Sequence, residues 1–187
     1  IISTMQAMQL IQKLPAFIRT PLMKSAMSAM QNPSEAIRRA ALVFLPINIL
    51  ILFLPHFLKV IMLGRDLDTS DPRGQQQLER QATHPSSGLI SRLQSAHKNS
   101  LETFPLFGLA VLAVVSRQSL AKGMNVKEPM QMLRLSSQYT IGRILYIIFY
   151  AFSGNKIMSG MRSVSFFHNY YVIIKLFGMA ITAPLAK

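Results

Sequence analysis

Arg92-Leu93-Gln94-Ser95-Ala96-His97-Lys98-Asn99-Ser100-Leu101-Glu102-Thr103-Phe104-Pro105 is the stretch whose reading decides the fold. It is a polar helical pattern that runs without a break into an apolar one, Leu106 to Val115. The apolar part alone is about half of the roughly 20 residues a bilayer crossing needs. The polar part has to supply the rest. Ser95, Asn99 and Glu102 are spaced i, i+4, i+7 and share one helical face, with Arg92 on it too. A carboxylate and an amide at membrane depth are costly unless they face protein or a wet cavity. This helix therefore needs neighbours, and the other hydrophobic stretches qualify.

Composition agrees. Half of the 187 residues are apolar and mean hydropathy is +0.31. Charged residues make up 14%, against the roughly 25% usual for soluble domains. That balance points to an integral membrane protein. The net charge of +13 fits anionic lipid or an anionic substrate. Nucleic acid is disfavoured, because the cations are scattered between apolar spans. Cysteine is absent, which excludes disulfides and thiolate metal sites. His56, His84, His97 and His168 have no metal-ligand spacing, so no metal is expected. No phosphate-binding loop, internal repeat or hydrolase nucleophile motif is present.

Outward from the opening stretch, the pattern predicts four spans: Ala40 to Leu63, about 89–116, about 131–152 and about 164–183. Pro46 and Pro55 predict a kink in the first. His56 and Lys59 near its far end read as interfacial side chains that reach for water. Asn32-Pro33-Ser34-Glu35 is a helix start signal. Gly64 to Ser91 is a polar loop holding Asp66, Asp68, Asp71 and Glu79, with a short surface helix from Gln75 to Ala82. Tyr139, Arg143, Tyr146 and Tyr150 share one face of the third span. Glu102, which no other acid accompanies in any span, is the expected partner of Arg143 inside the bundle. Glu102→Ala is therefore expected to impair folding. Residues 1–38 read as a basic, amphipathic helical extension and residues 39–187 as the four-span membrane domain. Residues 1–32 carry no acid and read either as an interfacial helix or as the rear of an organellar presequence. The first residue is Ile rather than Met, which suggests an upstream piece. Lys and Arg outside the spans are more numerous on the side of the termini, which the positive-inside rule places inside.

Ala96-His97-Lys98-Asn99-Ser100-Leu101-Glu102-Thr103-Phe104-Pro105-Leu106-Phe107 resembles the second-helix signature of the MAPEG family, membrane-associated proteins in eicosanoid and glutathione metabolism. The bacterial-type branch, with its glutamate followed by a Phe-Pro pair, is the nearer likeness. Gly142-Arg143-Ile144-Leu145-Tyr146, followed by Tyr150, resembles that family's third helix. Arg162-Ser163-Val164-Ser165-Phe166 resembles the start of its fourth. The resemblance covers residues from about 40 to 183. It implies an all-α four-helix bundle that assembles as a homotrimer and binds glutathione between subunits. The implied glutathione-binding positions are Lys98, Asn99, Glu102, Arg143, Tyr146 and Tyr150, with Arg162 and Ser163 in the catalytic role. The chemistry is consistent: an anionic tripeptide takes cations for its carboxylates and an acid for its amine, and a thiolate takes a nearby cation or hydroxyl.

The departures separate two functions. Ser95 and Lys98 stand where glutathione-using members carry arginine, and a lysine lacks the bidentate fork. Phe166 stands where a tyrosine is common, Tyr146 where some members have histidine, and the loop before Arg162 is longer. These changes, with the acid-free N-terminal segment, favour by a small margin a non-catalytic structural or lipid-binding subunit. Its setting would be a larger membrane assembly of unrelated subunits, such as a respiratory or ATP synthase complex of the mitochondrial inner membrane. The alternative is a homotrimeric glutathione-dependent transferase or peroxidase acting on lipophilic electrophiles, in mitochondria or endomembranes.

Overall fold

The computed structural model describes residues 32–67, 74–120 and 126–182, together with residues 15, 20 and 70. The helix expected before residue 32 lies outside them. Among the described residues the chain is helical, without strands: α1 (Pro33–Leu42), α2 (Phe44–Leu63), α3 (Gln75–Thr83), α4 (Ser87–Leu120), α5 (Lys127–Ala151) and α6 (Lys156–Thr182).

The start signal at Asn32 works as its sequence suggests. The Asn32 side chain accepts the Glu35 backbone N–H at 3.3 Å, filling one of the donors that a helix start leaves open. Glu35 then pairs with Arg38 at 2.6 Å and Arg39 at 2.8 Å. The first span, expected as one helix from Ala40, is broken at Val43. Pro46 explains this: it has no N–H for the Leu42 carbonyl, and its ring crowds that oxygen. Gly64, at φ 50, turns the chain out of α2. The other spans start earlier than their apolar runs suggest. The helices continue through polar residues to 87, 127 and 156, where capping and turn residues set the limits. Asn155 is one of these, accepting the Met158 N–H at 2.8 Å.

Among the described residues three helical segments, Pro33–Asp66, Ser87–Arg117 and Lys156–Thr182, are long and apolar enough to cross a membrane. The 25-residue α5 is long enough but more polar. The packing explains its composition. α5 lies in the middle, against α6 most extensively and also against α1, α4 and α2, so Ser136, Thr140 and Arg143 of its central part are buried against protein. Phe107 of α4 and Tyr139 of α5 stack with centroids 3.9 Å apart, inside a core that includes Ala110, Met132, Val172 and Leu176. Asn48 of α2 donates to Thr140 of α5 at 2.7 Å, fully buried.

Two cations fasten the helix ends. Arg117 pairs with Glu128 at 2.6 Å, joining the end of α4 to the start of α5. Arg92 Nε donates to the Ala151 carbonyl at 3.1 Å, a cation at the negative end of α5. Arg92→Leu is expected to cost about 1–2 kcal/mol, read as a lower thermal midpoint in detergent. An unchanged midpoint would contradict this role.

Candidate functional site

The polar half of α4 packs one residue out of phase with the sequence expectation. The face that turns inward is Ala96, Ser100, Thr103 and Phe107, not Ser95, Asn99 and Glu102. Adjacent helical residues differ by about 100°, so this choice decides which groups are buried. Hydroxyls settle it. Ser100 donates to the Ala96 carbonyl at 2.8 Å and Thr103 to the Asn99 carbonyl at 2.9 Å. Each brings its own acceptor from the preceding turn, so burial leaves it satisfied. A carboxylate has no such local solution.

Glu102 is accordingly exposed, and the expected Glu102–Arg143 ion pair is not formed in the chain. Arg143 is 3% exposed and finds neutral partners. Its guanidinium donates to Asn99 Oδ1 at 3.4 Å and to Ser100 Oγ, and it lies 4.7 Å from the Tyr146 ring centroid. Cation–π contact and neutral acceptors replace the carboxylate. The shared face of Tyr139, Arg143 and Tyr146 is buried as the spacing predicts, with Tyr150 half-buried at its end.

Beyond Asn99 and Tyr146 an open cleft of about 260 Å³ lies between α4, α5 and α6, lined by Asn99, Tyr146, Tyr150, Arg162, Ser163, Phe166 and Phe167. The cleft thus gathers Asn99, Tyr146, Tyr150, Arg162 and Ser163 from the residues singled out in the sequence. Arg143 stands behind it through Asn99. Arg162 is braced in two ways: its guanidinium carbon is 4.6 Å from the Tyr150 ring centroid, and an Nη donates to Ser159 Oγ at 3.3 Å. Arg162 reaches the cleft because α6 begins at Lys156 and carries it in its second turn. Ser163 is exposed and donates to the Ser159 carbonyl at 3.2 Å.

Lys98 does not join this cleft. It faces a different one with His56, Lys59 and His97, because consecutive residues of a helix point about 100° apart. Ser100, Phe167 and the Asn48–Thr140 pair were not legible as site or core residues. A small hydroxyl amid larger polar groups was the available sign for Ser100.

A model of the MAPEG family matches residues 40–182. Comparisons with curated proteins and with solved structures give no match. The family match runs from the end of α1 to the end of α6 and takes in every helix that lines the cleft. With its three apolar helices of membrane-crossing length, this chain is an integral membrane protein belonging to the MAPEG family.

Proposed function

We propose that this protein is a glutathione-dependent membrane enzyme of the transferase or peroxidase kind, acting on lipophilic electrophiles. One observation carries the reading. Asn99 of α4, Tyr146 and Tyr150 of α5, and Arg162 and Ser163 of α6 line a single open cleft. The residues fit the tripeptide. Arg162 offers a guanidinium to a carboxylate or thiolate, Tyr150 and Ser163 offer hydroxyls, and Phe166 and Phe167 form an apolar wall toward a lipophilic partner. Glutathione, when bound, would supply a thiolate nucleophile that displaces the electrophile's leaving group. The chain's part is to hold the thiolate beside Arg162 and away from bulk water.

The cleft also supports self-association. At about 260 Å³ it falls short of the roughly 300–1,000 Å³ of small-molecule sites. Glu102, the natural partner for the ligand's amine, is exposed outside its lining. A second copy would supply the missing wall, so the active form is read as a homotrimer. In the same reading α5 is the fourth crossing, shielded by its neighbours, and residues 1–38 are a basic extension beside the bilayer. The acid-free residues 1–32 favour the mitochondrial inner membrane over endomembranes.

The subunit reading is retained on one observation: Lys98 and Ser95, at the positions of family arginines, lie outside the cleft. Mass in mild detergent and glutathione titration separate the two. A homotrimer with saturable binding is expected. Arg162→Leu should weaken that binding about 10- to 100-fold, the effect of losing a hydrogen bond to a charged group. A single copy among unrelated chains, with no glutathione binding, would establish the subunit instead.

A further inference from the structure

We propose that the small cavity between α2, α4 and α5 binds one ordered water, and that through this water Asn48 is a positioning residue for the Arg143 guanidinium. Asn48 of α2, Ser100 of α4, and Tyr139 and Arg143 of α5 give the cavity a polar wall, and Ile51 and Phe104 close it on the apolar side. All four polar residues are buried. The volume, about 10 Å³, matches the roughly 10–15 Å³ that a single water needs and is too small for an organic ligand.

The hydrogen bonds of Asn48 leave one group over. A carboxamide has two N–H protons and one carbonyl oxygen. Here Nδ2 donates to the Phe44 carbonyl and to Thr140 Oγ1, both at 2.7 Å, so both protons are used. The Thr140 hydroxyl gives its own proton to the Ser136 carbonyl at 2.9 Å. Turning the amide over would therefore set Oδ1 against two acceptors. That fixes the orientation and leaves Oδ1, which is buried without a hydrogen-bond partner among the described residues. A buried carbonyl oxygen in that position calls for a donor.

Arg143 lines the same cavity and is rich in donors. A guanidinium has five N–H groups and no acceptor, and two of them go to Asn99 Oδ1 and Ser100 Oγ. Asn48 and Arg143 thus offer an acceptor and a donor to one water-sized space without bonding each other directly. A water accepts from the guanidinium and donates to Oδ1, with the Ser100 and Tyr139 hydroxyls as the other polar groups of the lining. Two to four polar partners are what a buried water requires. The link reaches the cleft, because Arg143 also holds Asn99 and Asn99 lines the cleft. Asn48 lies on α2, which contributes nothing to that lining, so its effect there passes through the water and Arg143. The effect on glutathione rests on the function proposed above, whereas the water does not.

The test is a structure of the full chain at a resolution that shows ordered waters. One peak is expected within about 2.6–3.2 Å of both Asn48 Oδ1 and an Arg143 nitrogen. Absence of the peak, or a direct bond from Arg143 to Asn48, overturns the proposal. Asn48→Val removes the acceptor and should lose the peak, while Thr140→Val removes another contact of the same amide and should keep it. Glutathione titration then separates positioning from packing. Asn48→Val should weaken binding roughly tenfold, the effect of loosening one hydrogen bond to a charged group, and Thr140→Val should leave it unchanged. Equal weakening by both variants overturns the positioning role. If Asn48→Val does not fold, Asn48→Ser, whose hydroxyl turns to the Phe44 carbonyl, is read in its place. If the parent binds no glutathione, the proposed function fails, and the peak near Asn48 still decides whether the water site exists.

Discussion

Arg143→Ala is expected to lower the stability of the folded chain by about 2–5 kcal/mol, the range for truncating a large buried side chain. Arg143 is 3% exposed and sits where α2, α4 and α5 meet, beside Asn48, Ser100 and Tyr139. Removing it leaves a void, releases Asn99 Oδ1 and strips the Tyr146 face of its cation. Charge itself is not what holds the site, because the described partners of the guanidinium are neutral. Arg143→Met, which keeps much of the volume and removes a desolvated cation, should therefore cost much less than alanine. Glu102→Ala should change stability by no more than about 0.5 kcal/mol, as for an exposed surface position. This reverses the expectation from sequence, in which Glu102 was the buried partner. Thermal unfolding of the three variants in one detergent decides it. Equal losses for Arg143→Ala and Glu102→Ala would restore the ion pair, and equal losses for methionine and alanine would refute the volume account.

Gly142→Ala should cost about 1–3 kcal/mol, a large effect for one methyl group. At Gly142 α5 and α6 approach closely. A Cβ there would collide with Asn169 Oδ1 and would lie 3.2 Å from Asn169 Cγ and from His168 Cδ2. Asn169 is fully buried, and neither end of its amide has a hydrogen-bond partner among the described residues. The carboxamide therefore occupies the space that glycine leaves, and it has little room to turn. Asn169→Ala removes the obstacle, so adding Gly142→Ala in that background should cost less than in the parent by about 1 kcal/mol or more. Strict additivity in the double-mutant cycle would show that the glycine serves α5 itself rather than the helix contact. If the parent tolerates Gly142→Ala without loss, the close packing described here is wrong.

The element types and the family were legible because they depend on short-range properties. Apolar runs of membrane length, the Asn32–Glu35 start signal and the Tyr139–Arg143–Tyr146–Tyr150 face each follow from spacing and side-chain chemistry alone. The order of three motifs on separate helices carried the MAPEG resemblance, and a family match over residues 40–182 bears it out. The resemblance, not the spacing, grouped Asn99 with residues of the third and fourth helices.

What spacing could not fix was the rotation of α4 about its axis. Ser95–Asn99–Glu102 and Ala96–Ser100–Thr103 are equally good helical stripes, and both are polar enough to be read as an inward face. The choice between them rests on where α2 and α5 lie, and on Ser100 and Thr103 having carbonyls of their own to bond. That rotation sends Glu102 to the surface, gives Arg143 neutral partners and turns Lys98 toward Lys59. The break at Val43 is similar: two prolines announce a kink, but the packing of α1 against α5 gives the broken segment its place. The sequence by itself determined a helical membrane protein of this family and the residues from which a site could be built. Only the tertiary structure decided which of those residues share a cleft, because a helix rotation of one residue costs almost nothing locally and redistributes every buried polar group.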